Sequence, residues 1–249
     1  MSVLCFKRQV GTLLCACAVL LVSGCATGPT ANPKDPLEPI NRKIAIFNDS
    51  VDENVTKPLA RGYRDYTPKP LQKGLHNFFN NLSDVRTTLN SGLQLKGKDT
   101  AESFMRVVVN TVFGIYGVFD VATEIKLQRH NEDFGQTLGY WGVGSGPYVV
   151  LPLFGPSTVR DAGGFIVDAT ADAVHGISDV ATRNQTTALR LVDKRAGLLD
   201  AGNLLEEASL DKYSFTRDAF LQYRRSQIYD GNPPEEDEPD YSVEPESAK

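Results

Sequence analysis

Phe104-Met105-Arg106-Val107-Val108-Val109-Asn110-Thr111-Val112-Phe113 is the segment on which the fold turns. Its apolar residues run almost all the way round a helix, which is the pattern of a helix buried in protein or immersed in lipid. The helix is predicted to start near Asp99 or Thr100, with Glu102 in its first turn, where an acid suits the helix dipole. Gly114, Gly117 and Asp120 interrupt the apolar run soon afterwards, so the segment does not read as a transmembrane span.

Helical patterns extend to both sides. Asp35-Pro36-Leu37-Glu38 has the form of a helix start, with Asp35 as cap, Pro36 at the first helical position and Glu38 completing a capping box. Leu37, Ile40, Ile44, Phe47, Val51 and Val55 then lay an apolar stripe at steps of three and four, opposite Arg42, Lys43, Asp49, Asp52 and Glu53. That stripe suits a membrane interface or a protein core equally well. Pro58, Gly62, Pro68 and Pro70 are expected to break the chain, and a second helix follows from Leu71 through Leu93. From Phe134 to Pro156 the chain is glycine-dense, aromatic and uncharged. Its glycines allow positive φ and its prolines exclude a regular central strand, so it reads as an irregular loop or short hairpin, buried or in contact with lipid. The helical pattern resumes at Ser157, and two more helices are expected near Thr187–Leu205 and Leu210–Tyr229. With no alternating strand series, internal repeat or heptads, the expected class is all-α.

The ends carry address and tether. Lys7 and Arg8 precede a short apolar run from Val10 to Val22, and Leu21-Val22-Ser23-Gly24-Cys25 ends it in the manner of a bacterial lipobox. Residues 1–24 are thus expected to be a lipoprotein signal peptide, cleaved before Cys25. The Cys25 thiol would carry diacylglycerol and its freed amine a further acyl chain. Residues 25–34 read as a flexible tether, residues 35–229 as the helical domain and residues 230–249 as a disordered acidic tail. Ala26 after the cysteine, by analogy with enterobacterial sorting, directs the lipoprotein to the outer membrane. Cys5, Cys15 and Cys17 leave with the signal, so the mature chain has no internal disulfide and no thiolate zinc site. The acidic tail carries −7 and the signal +2 of the formal −5, and the neutral body between them offers no basic field for nucleic acid.

Catalytic patterns are poorly matched. Gly142-Val143-Gly144-Ser145-Gly146 places glycine where a nucleophile elbow needs serine, and no P-loop lysine follows. His76, His130 and His175 have no helical metal-ligand spacing, so no metal site is expected. His130-Asn131-Glu132-Asp133 has cation-binding chemistry but reads better as a solvated connector. Asp161, Asp168 and Asp172 read as a polar helix face rather than an acid–base pair.

The chain resembles the MlaA (VacJ) lipoprotein family. The resemblance rests on Asp35-Pro36-Leu37-Glu38-Pro39-Ile40-Asn41-Arg42 with Phe47-Asn48, Tyr63-Arg64-Asp65-Tyr66-Thr67-Pro68, Gly74-Leu75-His76-Asn77-Phe78 and Asn80-Asn81-Leu82. It continues through Asn110-Thr111-Val112-Phe113-Gly114, Phe119-Asp120-Val121-Ala122, Phe134–Pro152 and Arg160-Asp161-Ala162-Gly163-Gly164. Pro39, where the family commonly has glycine, and Trp141, at a variable aromatic position, depart from the pattern. The resemblance implies an all-α, flattened, ring-like domain lying in the periplasmic leaflet of a Gram-negative outer membrane, often beside trimeric porins. It implies a channel that withdraws phospholipids misplaced in the outer leaflet. These pass to an MlaC-like periplasmic carrier and then to an inner-membrane ABC transporter, with no bond made or broken and no cofactor beyond the lipid on Cys25. A porin-bracing lipoprotein that passes no lipid is the rival reading.

Charges in so lipid-like a protein should face inward, which makes Arg64, Asp65, Asn110, Asp120, Arg160 and Asp161 candidates to line or brace the pore; paired structural charges fit them equally well. Gly139, Gly142, Gly144, Gly146, Pro147, Tyr148 and Gly155 are candidates for a mobile gate, against a static packing loop. Phe47 and Asn48 mark the first helix as a candidate pore-controlling element.

Overall fold

A computed structural model describes residues 32–208 and 210–235, with the side chains of residues 205–208 left aside. The signal peptide, Cys25, most of the tether and the tail from residue 236 lie outside the described residues.

The order of elements is α1 (Glu38–Val51), a π-helical turn (Asp52–Thr56), α2 (Lys57–Tyr66), α3 (Lys69–Leu93), α4 (Gly97–Val112) and α5 (Val121–Glu124). Then come α6 (Phe134–Tyr140), strands β1 (Tyr148–Leu151) and β2 (Gly155–Thr158), α7 (Val159–Ala171), α8 (Val180–Gly197), α9 (Leu199–Ala208) and α10 (Lys212–Ile228). The strands form one antiparallel hairpin in which Tyr148 faces Thr158 and Leu151 faces Gly155. The class is all-α, as expected.

Several local expectations change. Asp35 does not cap α1; Leu37 occupies that position, and the Asp35 carboxylate turns inward to accept from Asn41 Nδ2 at 2.8 Å and Tyr213 Oη at 2.6 Å. Pro58 and Pro70 do not break helices but enter their first turns, where a missing N–H costs nothing. Gly62 sits within α2, leaving the step at Thr67–Pro68 as the interruption. Ser157 and Thr158 belong to β2, so α7 begins at Val159, capped by Thr158 Oγ1. The helix expected near Thr187–Leu205 is two: α8 starts seven residues earlier, at Val180 behind the Asp179 cap, and α9 starts at Leu199.

Element contacts close a ring. They run from α1 to the hairpin, to α10, to α6, to α3, to α8, to α2, and through the π-helical turn back to α1. Polar side chains make many of the joints. Asn48 donates to Leu151 O (2.9 Å) and accepts from Leu153 N (2.7 Å), fixing α1 to the hairpin. Arg195 forks onto Asp52, both bonds 2.7 Å, joining α8 to the π-helical turn. Asp193 on α8 receives Tyr63 of α2 and faces His76 of α3, each at 3.0 Å.

The distribution of polarity is inverted. On α4, Phe104, Met105, Val112 and Phe113 are exposed, whereas Ser103, Arg106 and Asn110 are buried. On α1, Ile40, Ile46 and Phe47 face outward and Asn41 faces in. Among the described residues, buried polar side chains outnumber buried apolar ones, and a strip of large apolar side chains covers the outside. Such an outer surface in water would be an aggregation hazard or an interaction surface. No described helix is long and apolar enough to cross a membrane.

Candidate functional site

Three charged clusters occupy the interior. The first is built on α3, α4 and the turn before α5. Arg106, 2% exposed, binds Asp84 at 3.2 Å, Asp120 at 3.0 Å and the Leu127 carbonyl at 2.8 Å. Arg129 reaches the other Asp84 oxygen at 3.1 Å. Burial pushes the Asp84 carboxyl up despite these two arginines. Asp120 also caps α5, and the hydrogen bonds it accepts from Thr123 and Asn110 overcome burial to hold it low. The Asn110 amide spans the site, donating to Asp120 at 3.1 Å and accepting from Ala122 N at 2.8 Å.

The second cluster joins α6, α7 and α10. Arg224 donates to both Asp133 oxygens at 2.6 Å and to Asp161 at 2.9 Å, while Arg160 holds the other Asp161 oxygen at 2.8 Å. Burial would raise the Asp133 carboxyl, but Arg224 outweighs it and holds it at about 2. The helices can meet here because Gly135 and Gly164 face each other without side chains; a Cβ on Gly164 would run into the Gly135 backbone. The third cluster surrounds Asp35, where Tyr213 and Arg217 of α10 meet Asn41 of α1.

The sequence candidates separate accordingly. Asn110 and Asp120 fall in the first cluster, and Arg160 and Asp161 in the second. Arg64 and Asp65 join neither: they sit on α2, with Arg64 meeting Asp65 at 3.5 Å and Asp200 at 3.1 Å, and Asp65 is largely exposed. Arg106, Asp84, Arg224 and Asp133 form the centres of these clusters, yet no spacing marks them, since their partners are distant in sequence. The connector His130–Asp133 is not solvated as expected: Glu132 is buried with Gln94 at 2.9 Å and Lys96 at 3.2 Å, and Asp133 is held by Arg224. His130 Nε2 lies 2.7 Å from Glu102 and 3.7 Å from Asp99, a set of possible metal-ligand atoms in which the ring is within hydrogen-bond distance of Glu102.

The stretch from Phe134 to Pro156, expected to be an irregular loop or short hairpin throughout, divides too: Phe134–Tyr140 is the helix α6, started by the Asp133 cap, and the hairpin begins at Tyr148. Gly139 is packed inside α6 against Arg160 and Ile228, and Tyr148 is 1% exposed, its ring edge-on to Tyr213 and Phe220. Burial, then the Asp35 charge, push the Tyr148 hydroxyl up to about 12. Gly142, Gly144, Gly146 and Pro147 are exposed, as are Trp141 and Val143 beside them. Gly142 and Gly146 take φ of +88° and +66°, which L-residues resist. Gly155 opens β2 at φ +83°. Phe47 is half exposed, while Asn48 makes the α1–hairpin joint.

Residues 33–227 match the family of MlaA lipoproteins. The intermembrane phospholipid transport system lipoprotein MlaA of Escherichia coli (strain K12) is 38% identical over 213 residues, spanning 83% of this chain and 84% of the relative. The lipoprotein of the same name from Haemophilus influenzae is 33% identical over 234 residues, 86% of this chain and 88% of its own. A chain solved under the heading "Structural basis for maintenance of bacterial outer membrane lipid asymmetry" superposes with a TM-score of 0.68 at 35% identity, covering 80% of this chain and 99% of that one. An inside-out helical ring, a family match over nearly the whole described chain and a relative covered over 84% of its length lead to one assignment: the chain belongs to the MlaA lipoprotein family.

Proposed function

We propose that this protein is an outer-membrane lipoprotein of a Gram-negative envelope that removes phospholipids misplaced in the outer leaflet and passes them to a periplasmic carrier for return to the inner membrane. The observation that carries this reading is the inverted polarity of the ring. Apolar side chains such as Phe104, Phe113, Ile115 and Tyr116 face out, and charged clusters occupy the interior. A lipid headgroup crossing hydrocarbon needs a polar route, and a body beside acyl chains needs an apolar coat.

In this reading the ring lies in the periplasmic leaflet, held by acyl chains on Cys25. A trimeric porin adjoins it, and an MlaC-like carrier receives the lipid and delivers it to an ABC transporter. The protein makes and breaks no bond. Arg160, Asp161, Asn110 and Asp120 brace the interior wall. The exposed segment around Gly142–Pro147 gates the opening, with α1 controlling it through Asn48. The test is outer-leaflet phospholipid in cells with and without this protein. Accumulation on deletion supports removal; an unchanged outer leaflet supports a porin-bracing lipoprotein instead.

A further inference from the structure

Two cations, the half-buried Arg86 and the exposed Lys194, stand apart from the paired clusters. Arg86 on α3 and Lys194 on α8 make no side-chain hydrogen bond or salt bridge among the described residues, and Arg86 Nε is buried with no partner at all. Arg190, on the same face of α8 one turn before Lys194, adds a third positive charge, although it is paired with Asp172 at 2.6 Å. Arg190 also donates to Ser83 at 3.0 Å, which turns this face of α8 toward α3. The Arg86 charge is felt by the Asp168 carboxyl, yet no salt bridge joins them, and Asp168 is committed to Asn90 and the Phe134 amide.

Lys194 is exposed to solvent. Burial, followed by repulsion from Arg86 and Arg190, pulls its ammonium below the ordinary lysine value. The exposed Lys194 and the half-buried Arg86 leave this positive face open to a ligand. The three like charges of this face have one paired carboxylate, Asp172, which leaves a positive excess that an anion would neutralise. The guanidinium offers a planar fork for two oxygens and the ammonium a compact charge, the pairing that suits a phosphate.

We propose that Arg86 and Lys194 seat the phosphate of a glycerophospholipid, with Arg190 and Ser83 at its edge. This rests on the lipid-removal reading above and adds the group by which the lipid is held. The phosphodiester is common to all such headgroups, so the seat selects for phosphate rather than for a particular head alcohol.

The test uses the lipidated full chain in detergent micelles carrying phosphatidylglycerol or a diacylglycerol with the same acyl chains, with bound lipid counted by native mass spectrometry. The unaltered protein is expected to prefer the phospholipid by about tenfold. R86Q/K194Q is expected to reduce that preference to near unity, and K194R to keep it. K194Q alone, at a solvent-reaching position, supplies the test should the double variant fail to fold. A preference that survives in K194Q and in a folded double variant overturns the proposal. Equal binding of both lipids by the unaltered protein overturns the phosphate seat but leaves lipid passage standing; binding of neither overturns both. If inorganic phosphate alone stabilises the unaltered protein and not the variants, with no preference for phosphatidylglycerol, the site takes a free anion and the lipid assignment fails.

Discussion

Arg224 holds Asp133 and Asp161 together across three helices, and its removal would leave two buried carboxylates short of their partner. Arg224→Met is expected to cost about 3–5 kcal/mol, read from urea unfolding in detergent. The Asp133 carboxyl is depressed in the folded chain, so it stabilises the fold fully above its unfolded value, near pH 4. That contribution fades as the pH falls through about 2. Asp133→Asn should therefore flatten the loss of melting temperature over that window, and an unchanged acid slope would contradict the assignment. Gly164→Ala, which drives a methyl into the Gly135 backbone, should cost about 1–3 kcal/mol by overpacking. Of this joint, sequence marked Asp161 as a bracing candidate but neither Asp133 nor Arg224. Asp133 and Arg224 are ordinary surface types, and only the folded chain brings these residues, 91 apart in sequence, to 2.6 Å.

At the scale of elements the helices were readable, because apolar side chains at steps of three and four survive whichever medium they face. The direction of each face was not. The stripe of α1 fits core or interface equally, and only the burial of Asn41 beside the exposure of Ile40 and Phe47 fixes it outward. The hairpin was readable as a glycine-rich, proline-limited segment, but its fixed half was not. Tyr148 is an anchor, whereas Gly142–Pro147 is exposed. Asn48→Ala removes the two hydrogen bonds that Asn48 makes to the hairpin turn and should raise exchange of the Leu153 amide, whose N–H Asn48 accepts. Deleting Phe47 and Asn48 together should alter outer-leaflet phospholipid if α1 controls the opening.

On the scale of the whole molecule the proposed function has the outer coat and acyl chains on Cys25 divide the work. Phe104 and Phe113 lie outward on α4 and its end. Phe104→Lys/Phe113→Lys should weaken liposome binding by the unlipidated chain while leaving the circular dichroism spectrum unchanged, because neither ring fills the interior. Cys25→Ser should abolish processing and delivery more than it disturbs the ring. The most direct measurement follows labelled phospholipid planted in the outer leaflet of asymmetric vesicles that hold the lipidated protein and the periplasmic carrier. Label should leave the vesicles intact, in proportion to the protein present, with no free fatty acid or lysolipid formed. Retention of the label, or its departure only as hydrolysis products, would contradict a polar-lined ring that moves whole lipids.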